Sequence, residues 1–138
     1  MPQATTRALQ VLVISGNSSM RRSIELTLRS AGMAIIGTDS LLTYLARWKD
    51  ESRLLDAVVL EAGEVDPATV GRIQILASVP DLPQTLLIAG VDTLHLLGEV
   101  RKRPEVGVLV EPFSADQLVK AVRDIAECAV SSFPGMLP

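Results

Sequence analysis

Ala57-Val58-Val59-Leu60-Glu61-Ala62-Gly63 is the stretch whose reading decides the fold. Four apolar residues, two of them β-branched, run straight into one carboxylate and then a small, flexible pair. An unbroken apolar run this short, bounded by turn formers, reads as a strand covered on both faces, the pattern of a parallel sheet. A carboxylate at its C-terminal end stands where open parallel sheets carry their sites. Glu61 is therefore the first candidate for chemistry.

Runs of the same kind recur outward from it, at 11–14, 33–36, 85–88 and 106–110, separated by helix-length segments. After the first run comes Ser15-Gly16-Asn17-Ser18-Ser19, a polar turn rich in helix caps. Met20, Ile24 and Leu28 then recur at i+4 spacing, and Gly32, which takes positive φ freely, ends that helix. Asp39 or Ser40 caps a second helix carrying Leu41, Leu42, Leu45 and Trp48. Asp66-Pro67 opens a third with Val70, Ile73 and Leu76, weakened by about 1 kcal/mol at Gly71. Asp92 caps a fourth with Leu94, Leu97 and Val100, ending in Arg101-Lys102-Arg103, basic residues suited to a helix C-terminus. Ser114 and Gln117 form the capping box of the last helix, whose stripe is Leu118, Val122, Ile125, Ala129 and Phe133. Five such strands with intervening helices predict an α/β fold, (βα)5, and right-handed crossovers make it a doubly wound parallel five-stranded sheet.

Composition narrows the class. The chain of 138 residues is 48% hydrophobic but 3% aromatic, so Leu, Val, Ile and Ala must fill the core. With 13 basic and 16 acidic residues the net charge of −3 is too balanced for a nucleic-acid-binding surface. The single Cys128 cannot close an internal disulfide, which fits a reducing compartment. No apolar run reaches the length of a membrane span, and residues 1–10 lack the apolar centre of a signal peptide. A cytoplasmic domain without membrane or direct nucleic-acid partners is expected. It is divided into an extension (1–8), one domain (9–130) and a tail or start of a linker (131–138).

Few residues offer other chemistry. His95 has no second His and no nearby Cys, so it reads as a surface residue, and Cys128 reads as a small apolar filler beside the last helix's stripe. Tyr44 and Trp48 pack on or border the second helix. The turn at 15–19 lacks the Gly pattern and the Lys of a phosphate-cradling loop. One His assembles no nucleophilic triad, and no enzyme is read here.

Three stretches carry a family resemblance. Val11-Leu12-Val13-Ile14-Ser15-Gly16-Asn17-Ser18-Ser19-Met20-Arg21-Arg22 resembles the opening of a receiver domain of bacterial two-component response regulators. Residues 56–62 resemble the stretch that carries that family's phosphoryl-accepting aspartate. Leu109-Val110-Glu111-Pro112-Phe113-Ser114 is similar to its strand-five ending, Lys-Pro-Phe and then Ser or Thr. The match spans roughly residues 9 to 127 and implies a flavodoxin-like sheet of order 2-1-3-4-5, with the site at the ends of strands one, three, four and five.

The departures fall on the residues with chemical roles. By the resemblance, the two acidic residues that hold Mg²⁺ are matched by Ser15 and Gly16, and the acceptor aspartate by Glu61. The strand-four switch hydroxyl is matched by Ala89, the strand-five aromatic switch by Val108 and the pocket lysine by Glu111. Pro112 is the candidate for a cis peptide bond. Mg²⁺ is held through carboxylates and retained waters, and Ser15 and Gly16 withdraw two charges from that shell. Without metal or lysine, nothing neutralises the charge that develops in phosphoryl transfer. Mg²⁺ binding is expected to be lost and no other cofactor is implied. Glu61, longer by one methylene, is expected to project toward the cleft mouth.

Glu61 and Glu111 place like charges where the family has opposite ones. Either one carboxyl pKa rises, through a shared proton, a bound cation or a partner's Arg, or both side chains lean into solvent. The leading functional expectation is a degenerate receiver, a pseudo-receiver that signals by protein contact or dimerisation through the face of the fourth helix, strand five and the last helix. Leu96, His95, Val119 and Arg101–Arg103 are expected on that face. The alternatives are a phosphorylation switch with altered chemistry, or a cation or small-ligand sensor formed by Glu61, Glu111, Asn17 and the Ser15 hydroxyl.

Overall fold

Each apolar run forms a strand in the computed structural model, which describes residues 8–38, 40, 41, 43, 44, 55–62, 67–80 and 82–131. The strands are β1 (Gln10–Ile14), β2 (Ala34–Thr38), β3 (Ala57–Glu61), β4 (Thr85–Ala89) and β5 (Val106–Val110). All four pairings are parallel and the order is β2-β1-β3-β4-β5, the doubly wound sheet the run spacing predicts. Successive strand side chains point to opposite faces, so one unbroken apolar run feeds two cores. Val11, Val13, Ala57, Val59, Leu86 and Ile88 pack on one side with Ile24, Leu28, Leu118, Val122 and Ala126. Leu12, Ile14, Val58, Leu60 and Leu87 pack on the other with Leu41, Tyr44, Ile73, Leu76, Leu97 and Val100. Each fully buried aliphatic side chain contributes about 1.5–3 kcal/mol, and between their first and last positions β1, β3 and β4 carry only apolar residues.

The helices start where polar caps allow. Asn17 caps α1 (Ser18–Ser30) by accepting the Met20 N–H at 3.0 Å, and Gly32, at φ +89°, follows its C-terminus. The Ser40 hydroxyl accepts the Thr43 N–H at 3.0 Å, so Ser40 does the capping anticipated there. Ile73 and Leu76 of α2 (Pro67–Ser78) are buried as their spacing requires. At α3 (Ala115–Ser131) the capping box is complete: Gln117 Oε1 accepts the Ser114 N–H at 2.7 Å, and Ser114 Oγ accepts the Gln117 N–H at 3.1 Å. Leu118, Val122 and Ala126 form its buried stripe, with Ile125 half-buried beside them. Gly63, Asp39, Leu42, Leu45, Trp48, Asp66 and Phe133 lie outside the described residues, as do the segments 1–7 and 132–138 and the side chains of Cys128 and Ala129. No helix among the described residues is long and apolar enough to cross a membrane.

The fourth helical segment differs from expectation. It is two 3₁₀ helices, η1 (Val91–Leu96) and η2 (Gly98–Lys102), not an α-helix. Leu94, Leu97 and Val100 recur every three residues, the 3₁₀ period that stacks i over i+3, and Leu97 and Val100 are both fully buried. Leu97 separates the two, Gly98 at φ +34° opens the second, and Gly90, without a side chain to cap, stands at the N-cap of the first in place of Asp92.

Arg103, the last of the basic residues at 101–103, acts as a clamp. Its Nη1 donates to the carbonyls of Leu76, at 3.1 Å, and Val79, the unsatisfied end of α2. Its other nitrogens grip Glu105, with Nη2 3.1 Å from Oε2 and Nε 3.3 Å from Oε1. Burial pushes the Glu105 carboxyl up, but the Arg103 hydrogen bonds, a backbone N–H and the guanidinium charge outweigh it, and the carboxyl sits below its ordinary range. Arg103→Met should lower the unfolding free energy at neutral pH by about 1–3 kcal/mol, measured by urea denaturation. A carboxyl depressed in the folded state stabilises above its unfolded pKa and loses that contribution as pH falls through its folded one. The deficit of the variant should therefore narrow in acid, and a deficit constant with pH would contradict the pairing.

Candidate functional site

Polar groups gather where the strands end. Ile14 lies opposite Leu60, so one step further the chain brings Ser15 beside Glu61. Glu61 pairs with Ile88, and Ala89 with Val110, which carries the same edge on to Glu111. The Glu111 N–H donates to the Ala89 carbonyl at 2.9 Å, holding the end of β5 against β4. The Glu111–Pro112 peptide bond is cis. The register thus brings Ser15, Glu61, Ala89 and Glu111 to one edge, while Val108 sits half-buried within β5.

Glu61 does not project toward the cleft mouth, and it does not lean into solvent. It is 5% exposed, and the Ser15 hydroxyl, itself 1% exposed, donates to its Oε1 at 2.9 Å. The same hydroxyl oxygen accepts the Asn17 N–H at 3.1 Å, so Ser15 closes the β1–α1 turn and engages the strand-three carboxylate together. A buried carboxylate without a donor is costly, and this bond gives the extra methylene of Glu61 a reason to fold inward. Glu111 is half-buried. Burial, and after it the charge of Glu61, push the Glu111 carboxyl above the usual carboxylate range. Ala89 is fully buried and offers no hydroxyl.

Two guanidinium groups that the sequence reading missed flank the β1–α1 turn. Arg21, on the second turn of α1, donates from Nη1 to the Ser15 carbonyl at 2.9 Å. Its Nε is 3.7 Å from Glu25, which also pairs with Arg29 at 3.7 Å. Arg72, on α2, brings Nη2 to within 3.1 Å of where a Cβ on Gly16 would lie. Arg21 stands in the stretch that carries the resemblance, but nothing in the local pattern around Arg72 marks it. The corner that the resemblance reads as metal-holding thus carries a hydroxyl and a glycine with arginines beside them, which does not match the carboxylate shell Mg²⁺ takes. Among the described residues no cluster of three or more His, Cys, Asp or Glu is placed to hold a metal ion.

A parallel sheet of this order, with its polar edge at the ends of β1, β3, β4 and β5, is the flavodoxin-like fold of response-regulator receiver domains. Solved structures bear this out. A response regulator receiver domain protein from Clostridium thermocellum superposes with a TM-score of 0.75 at 15% identity, covering 91% of this chain and 99% of that one. The signal receiver domain of an HD domain-containing protein from Pseudomonas fluorescens Pf-5 gives 0.70 at 19% identity, with 94% and 95% covered. A pilus assembly-related protein from Burkholderia pseudomallei K96243 gives 0.64 at 21% identity, with 86% and 90% covered. No family model and no curated protein matches the sequence.

Two outcomes test this geometry. Ser15→Ala leaves the Glu61 carboxylate without its buried donor and should cost about 1–3 kcal/mol of stability in urea unfolding at neutral pH. Glu111 works in the opposite sense from Glu105. A carboxyl raised in the folded state contributes in full below its unfolded pKa and loses that contribution as pH rises through the folded one. Glu111→Gln should accordingly be more stable than the parent at neutral pH, with the advantage fading in acid. A variant no more stable at neutral pH would contradict the raised Glu111 carboxyl.

Proposed function

We propose that this chain is a pseudo-receiver: a signalling module of the response-regulator type that works through protein contact, without accepting a phosphoryl group. The observation that carries the reading is the engagement of Glu61 at the acceptor position. Its carboxylate is buried and bonded to the Ser15 hydroxyl. The family would instead hold a metal at Ser15. At Glu111, where it would hold a neutralising lysine, stands a second carboxylate. Phosphoryl transfer needs preorganised positive charge on the transferring oxygens, and this edge adds negative charge instead. Ala89 and Val108 lack the hydroxyl and the ring through which a phosphoryl signal would spread. The module is read as cytoplasmic and non-enzymatic, with no cofactor.

The contact face is that of η1, η2, β5 and α3. β5 is one of the two edges of the sheet and, as in β2 at the other, every one of its residues is at least partly exposed, whereas β3 and β4 are wholly buried. Val91 is 69% exposed and Val110 37%, and Leu96 and Val119 are half-buried. His95, Arg101 and Lys102 give that side a polar rim, while Arg103 is turned inward to α2 and does not belong to it. Scattered apolar residues with a polar rim on a sheet edge suit a protein partner, a second copy of the chain included.

Treatment with acetyl phosphate and Mg²⁺ should leave the intact mass unchanged. Sedimentation at rising concentration should show self-association indifferent to the phosphodonor, and Val91→Asp should weaken it about tenfold or more. A phosphoryl adduct on Glu61, or a monomer at all concentrations that binds no protein partner, would overturn the reading.

A further inference from the structure

The β1–α1 turn is bordered by cations from two different elements. Arg21 of α1 bonds the Ser15 carbonyl, and Arg72 reaches across from α2 to Gly16. Gly16 itself is exposed, and Arg72 is half-buried. The 3.1 Å separation between Arg72 Nη2 and a Cβ built on Gly16 is closer than side chains ordinarily approach. The guanidinium therefore lies in the volume that any side chain at position 16 would enter. The N-terminus of α1, with its own partial positive charge, adjoins the same turn.

We propose that Arg72 is a tethered cation standing at the Gly16 corner in place of a divalent ion, so that the chain itself closes this cleft to metal. Mg²⁺ needs room for carboxylate oxygens and several retained waters. A guanidinium in that corner takes up the room and repels the ion, most strongly where the site is partly withdrawn from solvent. The consequence goes beyond the loss of acidic residues at 15 and 16. Restoring an acid at 16 alone should not restore metal binding, because the new carboxylate would pair with the Arg72 fork, which suits it in geometry and charge. The claim concerns only this corner and is independent of how the β5 edge is used.

The test compares Gly16→Asp, Arg72→Met and the combined variant with the parent, each checked for a cooperative thermal transition. Mg²⁺ is titrated by isothermal calorimetry. The combined variant should bind Mg²⁺ about tenfold or more tightly than Gly16→Asp alone, a difference of one decade in dissociation constant. In the absence of metal, Gly16→Asp should raise the thermal midpoint when Arg72 is present and not when it is Met, the coupling expected of residues in contact. Equal Mg²⁺ affinity with and without Arg72 would overturn the proposal. If neither variant takes up Mg²⁺, the thermal cycle decides, and absence of coupling would overturn it. Neither result alters the expectations for the phosphodonor or for self-association, so this proposal and the interaction reading fail separately.

Discussion

A parallel sheet covered on both faces leaves its polar groups only the ends of the strands, and the interior of every central strand here is apolar. β3 runs from Ala57 to Leu60 without a polar atom in its side chains and ends on Glu61. β1 stays apolar from Val11 to Ile14 and ends on Ser15, and β4 is wholly buried before the chain reaches Gly90. Parallel pairing in register then makes neighbours of residues far apart in the chain. Ser15 and Glu61 meet because Ile14 and Leu60 are paired, although 46 positions of chain separate them.

At that edge the balance of charge decides what chemistry is open. Burying a carboxylate is expensive unless a donor faces it, and a neutral hydroxyl is enough to hold one oxygen of Glu61. It is not enough to offset a second carboxylate, and Glu111, flanked by buried surface and by Glu61, responds by holding its proton more tightly. The neighbouring turn carries cations on its other side. Arg21 lies on the Ser15 carbonyl and Arg72 over Gly16. The strand order is that of the receiver fold, while the charges along its edge differ from those the resemblance implies.

The scaffold away from the edge also shows where local pattern and tertiary packing compete. A three-residue repeat of Leu94, Leu97 and Val100 fits one face of an α-helix nearly as well as a 3₁₀ turn, and only contact with β4, β5 and α2, with Gly98 at positive φ, resolves it as two short 3₁₀ helices. Arg101-Lys102-Arg103 reads as a uniform basic end. In the fold its members part: Arg101 and Lys102 face solvent, while Arg103 caps a helix that ends 25 residues earlier in sequence, at Ser78. Glu61 was expected to lengthen toward solvent, and a single hydroxyl across the strand pair turns it inward.

The amino-acid sequence alone determined the strands and the α1 and α3 helices with their caps, while the resemblance it carries implied the positions of Ser15, Gly16, Ala89 and Glu111 beside Glu61. The elements depend on period and local chemistry, which act over a few residues: apolar runs without alternation, Asn17 before α1, the Ser114–Gln117 box. Only the tertiary structure decided which side chains face one another across that edge. The Ser15–Glu61 bond, the Arg72 approach to Gly16 and the Arg103 grip on α2 each join residues separated by 24 or more positions. Contacts at that range are set by strand register and by the direction in which helices cross the sheet, and no local pattern in the chain encodes them.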